Sequence, residues 1–335
     1  MKNILITGGA GFIGSNFISY FLQKYPHYKL YNLDLLTYAG KTENMQDFIN
    51  HPNHTFIQGD ICDKALLHQI FETNDIDSVI HFAAESHVDN SIHSPNIFIK
   101  TNIEGTFTLL DVAYHHWLEK PFTYKVPYGI FHHISTDEVY GSLGENGLFT
   151  EQTPYAPNSP YSASKASSDM LVRSYHHTYG LKTLITNCSN NYGPRQHSEK
   201  LIPTIIKKSL LGEAIPIYGD GLNIRDWLHV EDHCRGIDLV FHSKQYGETY
   251  NIGGNNEYTN IQIAHIVCSI LDDLCPKSQG SYKDQITYVQ DRAGHDRRYA
   301  IDSTKLQTSL GWKPQYDFLR GIRQTIEWYL LKYKT

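Results

Sequence analysis

Thr7-Gly8-Gly9-Ala10-Gly11-Phe12-Ile13-Gly14 follows the apolar run of residues 2–7 (KNILIT) and opens residues 12–22, where apolar side chains recur at helical spacing. The pattern reads as strand, tight turn and helix. Glycines at 8, 11 and 14 let the chain turn sharply, bring its backbone close to a pyrophosphate, and seat the helix against the sheet. The N-terminus of that helix then offers free N–H groups and the positive end of its dipole. Asp34 ends a second strand-like segment, residues 29–34 (KLYNLD), twenty residues beyond Gly14. A carboxylate there hydrogen-bonds a ribose 2′-OH and repels a 2′-phosphate, so the pair of features points to NAD rather than NADP.

Working outward, residues 55–60 (TFIQGD), 78–83 (SVIHFA) and 129–135 (GIFHHIS) read as three further strands, with helical patterns between most of them. Such alternation predicts an α/β fold, a doubly wound parallel (Rossmann) sheet with ligands at the carboxyl ends of its strands. From Asn191 onward the pattern loosens, and Gly193-Pro194, Gly219-Asp220-Gly221 and Gly253-Gly254 punctuate short segments of a smaller, C-terminal substrate-binding lobe. The expected division assigns residues 1–190 and about 226–255 to the NAD-binding domain, and about 191–225 and 256–335 to the lobe. Two helices are expected over residues 101–117 and 161–179, the first with an apolar stripe of Ile103, Phe107, Leu110 and Ala113 that suits packing on the sheet or a dimer face.

Hydrophobic residues make up 40% of the 335 and charged residues 19%, with a formal net charge of −6, which offers no polybasic field for nucleic acid or acidic membrane. A small-molecule partner is therefore expected, with neither nucleic acid nor membrane. No basic leader precedes the first strand and no apolar stretch approaches about 18 residues, which suits a cytoplasmic protein. The cysteines, odd in number at 62, 188, 234, 268 and 275, form no CxxC pair and read as reduced, structural thiols. Histidine doublets at 115–116, 132–133 and 176–177 do not chelate readily, because neighbours on a helix or strand point in different directions. There is no HExxH pattern, so no metal is expected.

Tyr161 and Lys165 stand four residues apart, on one face of a helix, where an ammonium stabilises a phenolate and moves it toward useful basicity. Together with the glycine loop this pair resembles the extended short-chain dehydrogenase/reductase family, in which a Ser or Thr near the fifth strand completes the set. Here that strand ends Ile134-Ser135-Thr136-Asp137-Glu138. Two adjacent carboxyl groups are needless for alcohol oxidation, whereas β-elimination of water needs both a base and an acid. The resemblance narrows to the nucleotide-sugar 4,6-dehydratases. It implies that Thr136 holds the C4 hydroxyl beside Tyr161, Glu138 removes the C5 proton, and protonated Asp137 serves the departing C6 oxygen. It further implies a tightly retained NAD, because the hydride taken from C4 returns to C6.

The same resemblance implies cofactor contacts from Gly8, Gly11, Phe12, Ile13 and Gly14, from Asp60 and Ile61 beside adenine, and from Phe82, Ala83, Ala84, Thr101, Tyr161, Lys165 and Asn187. Sugar and pyrophosphate contacts are implied for Ser86, Thr136, Asn190, Lys200 and Leu201. Pro216, Ile217 and Tyr218 are expected along the base, with Asn260, His295 and Tyr299 completing the nucleotide site. Arg225 suits a diphosphate because its planar fork donates to paired oxygens. Dimerisation through the two helices is a further implication. The expected substrate is dTDP-glucose; the same reaction on a UDP- or CDP-hexose, a nucleotide-sugar 4-epimerase and a non-catalytic sensor of these ligands are the alternatives. Ala293 stands where the family has proline, and residues 141–161 form a shorter loop than in some relatives, which bears on the substrate admitted.

Overall fold

The computed structural model describes residues 2–334. In the first strand, β1 (Asn3–Thr7), alternation sends Ile4 and Ile6 to one side and Leu5 to the other, and all three are fully buried. A strand covered on both faces in this way belongs to the middle of a parallel sheet. The chain continues through α1 (Phe12–Lys24), β2 (Lys29–Asp34), β3 (His54–Gln58), α2 (Lys64–Asn74) and β4 (Ser78–His81). Short helices α3 (Val88–His93) and α4 (Pro95–Phe98) lead through a π-helical stretch, Ile99–Gly105, into α5 (Thr106–Trp117). A ribbon of β5 (Leu118–Lys120) and β6 (Thr123–Tyr124) precedes β7 (Ile130–Thr136), α6 (Pro160–Tyr179) and β8 (Thr183–Cys188).

Beyond it come β9 (Asn190–Tyr192), α7 (Leu201–Leu211), β10 (Ile215–Tyr218), β11 (Ile224–His229), α8 (Val230–His242) and β12 (Thr249–Ile252). The chain closes with β13 (Glu257–Thr259), α9 (Asn260–Leu274), β14 (Ile286–Val289), α10 (Thr304–Leu310) and α11 (Phe318–Lys334).

Seven parallel strands form the main sheet in the order β3-β2-β1-β4-β7-β8-β12. Strand order reverses between β1 and β4, which opens a crevice at their carboxyl ends. On one face α1 and α8 cover the sheet with Phe17, Phe21, Ile237 and Phe241. On the other, α2, α5 and α6 do so with Phe71, Leu109, Val112 and Val172. The five strands read from the sequence are present, with ends displaced by at most two residues. Of residues 226–255, α8 and β12 join this domain, whereas β11 pairs with β9 and β13 in a separate three-stranded sheet. Leu306 and Trp312, far along the chain, also pack into the main-sheet core.

The smaller lobe is built on α7, α9 and α11, which share a core of Ile205, Ile206, Val267, Leu271, Ile322 and Ile326. One sequence expectation is corrected in α5. Leu110 and Ala113 are buried, but Phe107 is 46% exposed and Ile103 lies in the π-helical stretch. The wider π turn changes the phase of the helix, so a single helical stripe does not run through 101–117. Among the described residues, no helix is long and apolar enough to cross a membrane, and no group of three His, Cys, Asp or Glu is placed to hold a metal ion. All five cysteines are free.

Candidate active site

The crevice holds a cavity of about 440 Å³ that runs from the glycine turn to the junction with the lobe. At its start Gly8 adopts φ +75°, and a methyl group there would stand 2.6 Å from the Ala83 amide nitrogen. A methyl on Gly14 would stand 2.3 Å from the Gly8 carbonyl oxygen. Side chains at these places would fill the cradle that a pyrophosphate needs. Gly11 caps α1 without any side-chain hydrogen bond, and the first turn carries no acidic residue, so its N–H groups are left for an anion. Asp34 accepts from the Ala10 N–H at 2.9 Å and the Leu36 N–H at 2.8 Å, which fixes its carboxyl at the cavity edge. Burial raises its pKa, and those two N–H groups oppose the rise. The donors and shape fit a dinucleotide whose ribose carries a free 2′-OH. Phe12, Ile13, Asp60, Ile61, Phe82, Ala83, Ala84 and Thr101 line the same cavity.

At the carboxyl end of β7, Thr136 caps a short 3₁₀ turn, accepting from the Glu138 N–H at 3.3 Å while its hydroxyl donates to Asp137 Oδ1 at 3.4 Å. Asp137 is 1% exposed and its Oδ2 has no partner. Burial, reinforced by the neighbouring Glu138 charge, pushes its carboxyl well above the usual range. Glu138 is also raised by burial, and Arg292, Lys200 and Arg225 oppose the rise. The two carboxyls therefore differ in kind: one is held as an acid, and the other has cations that favour its ionised form.

Opposite them, Ser159 and Ser162 form a capping box at the start of α6, with Pro160 in the first turn. This rigid start sets Tyr161 facing the cavity, and Lys165 follows one turn later. Lys165 is 3% exposed and donates to the Ile134 carbonyl oxygen at 2.9 Å. The expected lowering of the Tyr161 phenol is not what this geometry produces. Burial, then the Glu138 charge, push it well above 10, against a smaller opposing effect of Thr136. Desolvation of a fully buried phenolate dominates.

The remaining predicted residues divide into two groups. Ser86, Asn190 and Lys200 line the cavity, and Lys200 Nζ donates to the Ser86 carbonyl oxygen at 2.8 Å, joining the lobe to the sheet domain. Arg225 is 5% exposed, stacks its guanidinium 4.3 Å from the Tyr299 ring centroid, and donates to the Asp296 carbonyl oxygen at 2.9 Å. Tyr299 in turn donates to the Asp296 carboxylate. Pro216 and Tyr218 lie on β10, where Tyr218 is 40% exposed and donates to Asp89, while Ile217 turns into the lobe core. Leu201 packs against that core, His295 pairs with Asp291 at 2.6 Å, and Asn260 opens α9. Asn187 lies beneath the cavity, not on its wall, and donates to the hydroxyls of Tyr140 and Tyr155.

Four residues with a role in the site were not singled out from the sequence. Asn102, turned inward by the π stretch, clamps the Glu85 backbone with bonds of 2.8 and 3.0 Å. Arg292 faces Glu138 and pairs with Asp89 at 3.4 Å. His133 and Asp169 lie under Lys165. The repeat of the four-residue spacing from Lys165 to Asp169 was the one signal available for the last of these.

A family model described as GDP-mannose 4,6 dehydratase matches residues 5–325. A dTDP-glucose 4,6-dehydratase of Xanthomonas campestris is 52% identical, over 98% of this chain and 93% of the relative. The crystal structure of a dTDP-glucose 4,6-dehydratase from Streptomyces venezuelae, with NAD bound, superposes with a TM-score of 0.90 at 45% identity, covering 99% of this chain and 98% of that one. A UDP-glucose 4-epimerase from Thermotoga maritima superposes almost as well, at 0.85 over 99% of both chains, but is only 28% identical. Shape alone does not separate dehydratase from epimerase; sequence identity does, and the chain belongs to the dTDP-glucose 4,6-dehydratase family.

Proposed function

We propose that the chain removes water from dTDP-glucose to give the 4-keto-6-deoxy sugar, with NAD retained through the cycle. Thr136 holds the C4 hydroxyl, and Tyr161, flanked by Lys165, takes its proton. NAD, held by the glycine turn and Asp34, would supply the acceptor for the C4 hydride and the source of the hydride returned to C6. With C4 a ketone, Glu138 removes the acidified C5 proton, and Asp137 protonates the C6 oxygen so that it leaves as water. Glu138 then returns a proton to C5. Over one turnover Tyr161 gains the C4 hydroxyl proton and Asp137 gives one to the departing water; exchange with solvent then deprotonates Tyr161 and reprotonates Asp137, so the sugar's net loss is one water.

The observation that carries this reading is the contrast within Thr136-Asp137-Glu138, where the more deeply buried Asp137 carries an orphan Oδ2 and the strongly raised carboxyl. An epimerase has no use for an acid and base in that place. The reading assigns residues 1–190 with about 226–255 to NAD and the remaining lobe to the nucleotide sugar. It also includes a homodimer in which Phe107 of α5 and Met170 of α6, 46% and 57% exposed, are covered. A cytoplasmic setting suits five free cysteines. The test is to incubate the purified protein with dTDP-glucose, without added cofactor, and to follow mass. Loss of one water supports the reading, whereas recovery of unchanged or merely epimerised sugar overturns it.

A further inference from the structure

Beneath the catalytic lysine lies a buried polar cluster that the steps above leave unused. Lys165 Nζ stands 3.2 Å from His133 Nε2, and that imidazole nitrogen stands 3.3 Å from Asp169 Oδ1. Asp169 Oδ2 accepts hydroxyl bonds from Ser135 and Tyr155, both at 2.9 Å. Lys165, His133 and Asp169 are 3%, 0% and 2% exposed, so water does not screen them. Lys165 and Asp169 make no direct ion pair; the imidazole lies between them.

One ring nitrogen cannot serve both neighbours in the same way. Without a proton, Nε2 accepts from Lys165; with one, it would turn an N–H toward Asp169 Oδ1, a buried oxygen that has no hydrogen-bond partner. His133 Nδ1 has no partner. A proton on Nδ1 would leave that N–H and Asp169 Oδ1 unpaired, whereas a proton on Nε2 would leave Nδ1 unpaired and set an N–H against the Lys165 ammonium. The ring is a neutral spacer. It stands between the carboxylate and the ammonium and stops the ammonium from folding back, leaving Lys165 directed at Ile134 and the cavity.

We infer that Asp169, acting through His133, is a positioning residue for the proposed reaction: it is the buried counter-charge that keeps Lys165 an ammonium while holding it off a direct ion pair. This rests on the reading of Tyr161 and Lys165 given above. The groups that face the lysine are Tyr161 and Asp169 from its own helix, His133 from β7, Cys188 from β8 and, behind His133, His81 from β4. Burial pushes both histidines toward the neutral ring and the Cys188 thiol toward its protonated form. That leaves Asp169 as the anion opposing the burial that lowers Lys165 to about 8, and Asp169 is itself raised to about 6 by burial.

The test is the titration of Lys165 in the NAD-loaded protein, followed by NMR of ¹³C-labelled lysine and assigned with Lys165→Met. Asp169→Asn removes the charge, and the lysine should then titrate about one pH unit lower or more. Tyr155→Phe, which strips one donor from the carboxylate and raises its proton affinity, should shift Lys165 the same way by less, and serves if the first variant does not fold. His133→Gln offers an amide N–H to Asp169 and an oxygen to Lys165, and should keep the titration near that of the parent. Lys165 titrating unchanged in Asp169→Asn, or in Tyr155→Phe where only that variant folds, overturns the inference. This readout needs no sugar nucleotide, so it stands apart from the dehydratase reading. The catalytic consequence is read as NADH formation from dTDP-glucose in a Glu138→Gln background: the basic limb of its pH profile should move to lower pH when Asp169→Asn is added. An equal loss at every pH would mean a merely structural role and would overturn it as well.

Discussion

Asp137 and Glu138 are adjacent in the chain, yet only Glu138 is drawn toward ionisation by three cations, Arg292, Lys200 and Arg225, while Asp137 is 1% exposed with one carboxyl oxygen unpartnered. A turn of 3₁₀ geometry sends the two side chains in different directions from one strand end. In the proposed elimination, acid and base are thus separated by surroundings, not by residue type.

Glu138→Gln should therefore split the reaction. Oxidation at C4 needs only Tyr161, Lys165 and Thr136, so NADH should accumulate on the protein, visible by its absorbance, while dehydration falls on the order of 100-fold or more. Near-normal dehydration would remove Glu138 from the role of base.

Tyr161→Phe keeps the ring, including its edge contact with Phe98, and loses the hydroxyl. Hydride transfer should fall on the order of 10²- to 10⁴-fold with binding of the sugar nucleotide little changed. Stopped-flow absorbance with titration calorimetry separates the two effects.

The alkaline limb of activity has two sources with the same sign. Asp137 must be protonated to act as an acid, and Lys165 must be protonated to support the phenolate, so each loses function as pH rises through its pKa. Lys165 does so at about 8, and Asp137 from a value well above the ordinary carboxylate range. The oxidation half-reaction, isolated in Glu138→Gln, should lose its rate through the lysine alone. A full pH profile of both reactions checks this.

Gly8→Ala should purify without NAD. Its φ of +75° and the 2.6 Å approach to the Ala83 nitrogen leave no room for a methyl group without moving the turn or β4. Asp34→Ala should weaken NAD retention more gently, by about 1–3 kcal/mol, because the Ala10 and Leu36 N–H groups lose their acceptor. It should also narrow discrimination against NADP. Cofactor content after purification and affinity for each dinucleotide measure both effects.

The sheet domain was legible because its chemistry sits where local patterns change: glycines at the end of β1, Asp34 at the end of β2, and Thr136-Asp137-Glu138 at the end of β7. The lobe was less so, since Arg292, Asp296 and Tyr299 meet Arg225 and Glu138 only through tertiary folding. The π stretch escaped because no periodic signal marks one extra residue in a turn, and with it went the inward role of Asn102 and the outward place of Phe107. His133 was weighed only as half of a histidine doublet. Strand alternation gives the two rings to opposite faces of the sheet, His132 stacking on Phe241 and His133 reaching Lys165.

The most direct test of the central claim is to follow the hydrogens. dTDP-glucose carrying deuterium at C4 is converted in ordinary water, and unlabelled substrate in heavy water, with both products examined by NMR. The account predicts that the C4 deuterium reappears at C6, and that heavy water places one deuterium at C5. A label that stays at C4, or a product with no solvent hydrogen at C5, would contradict it.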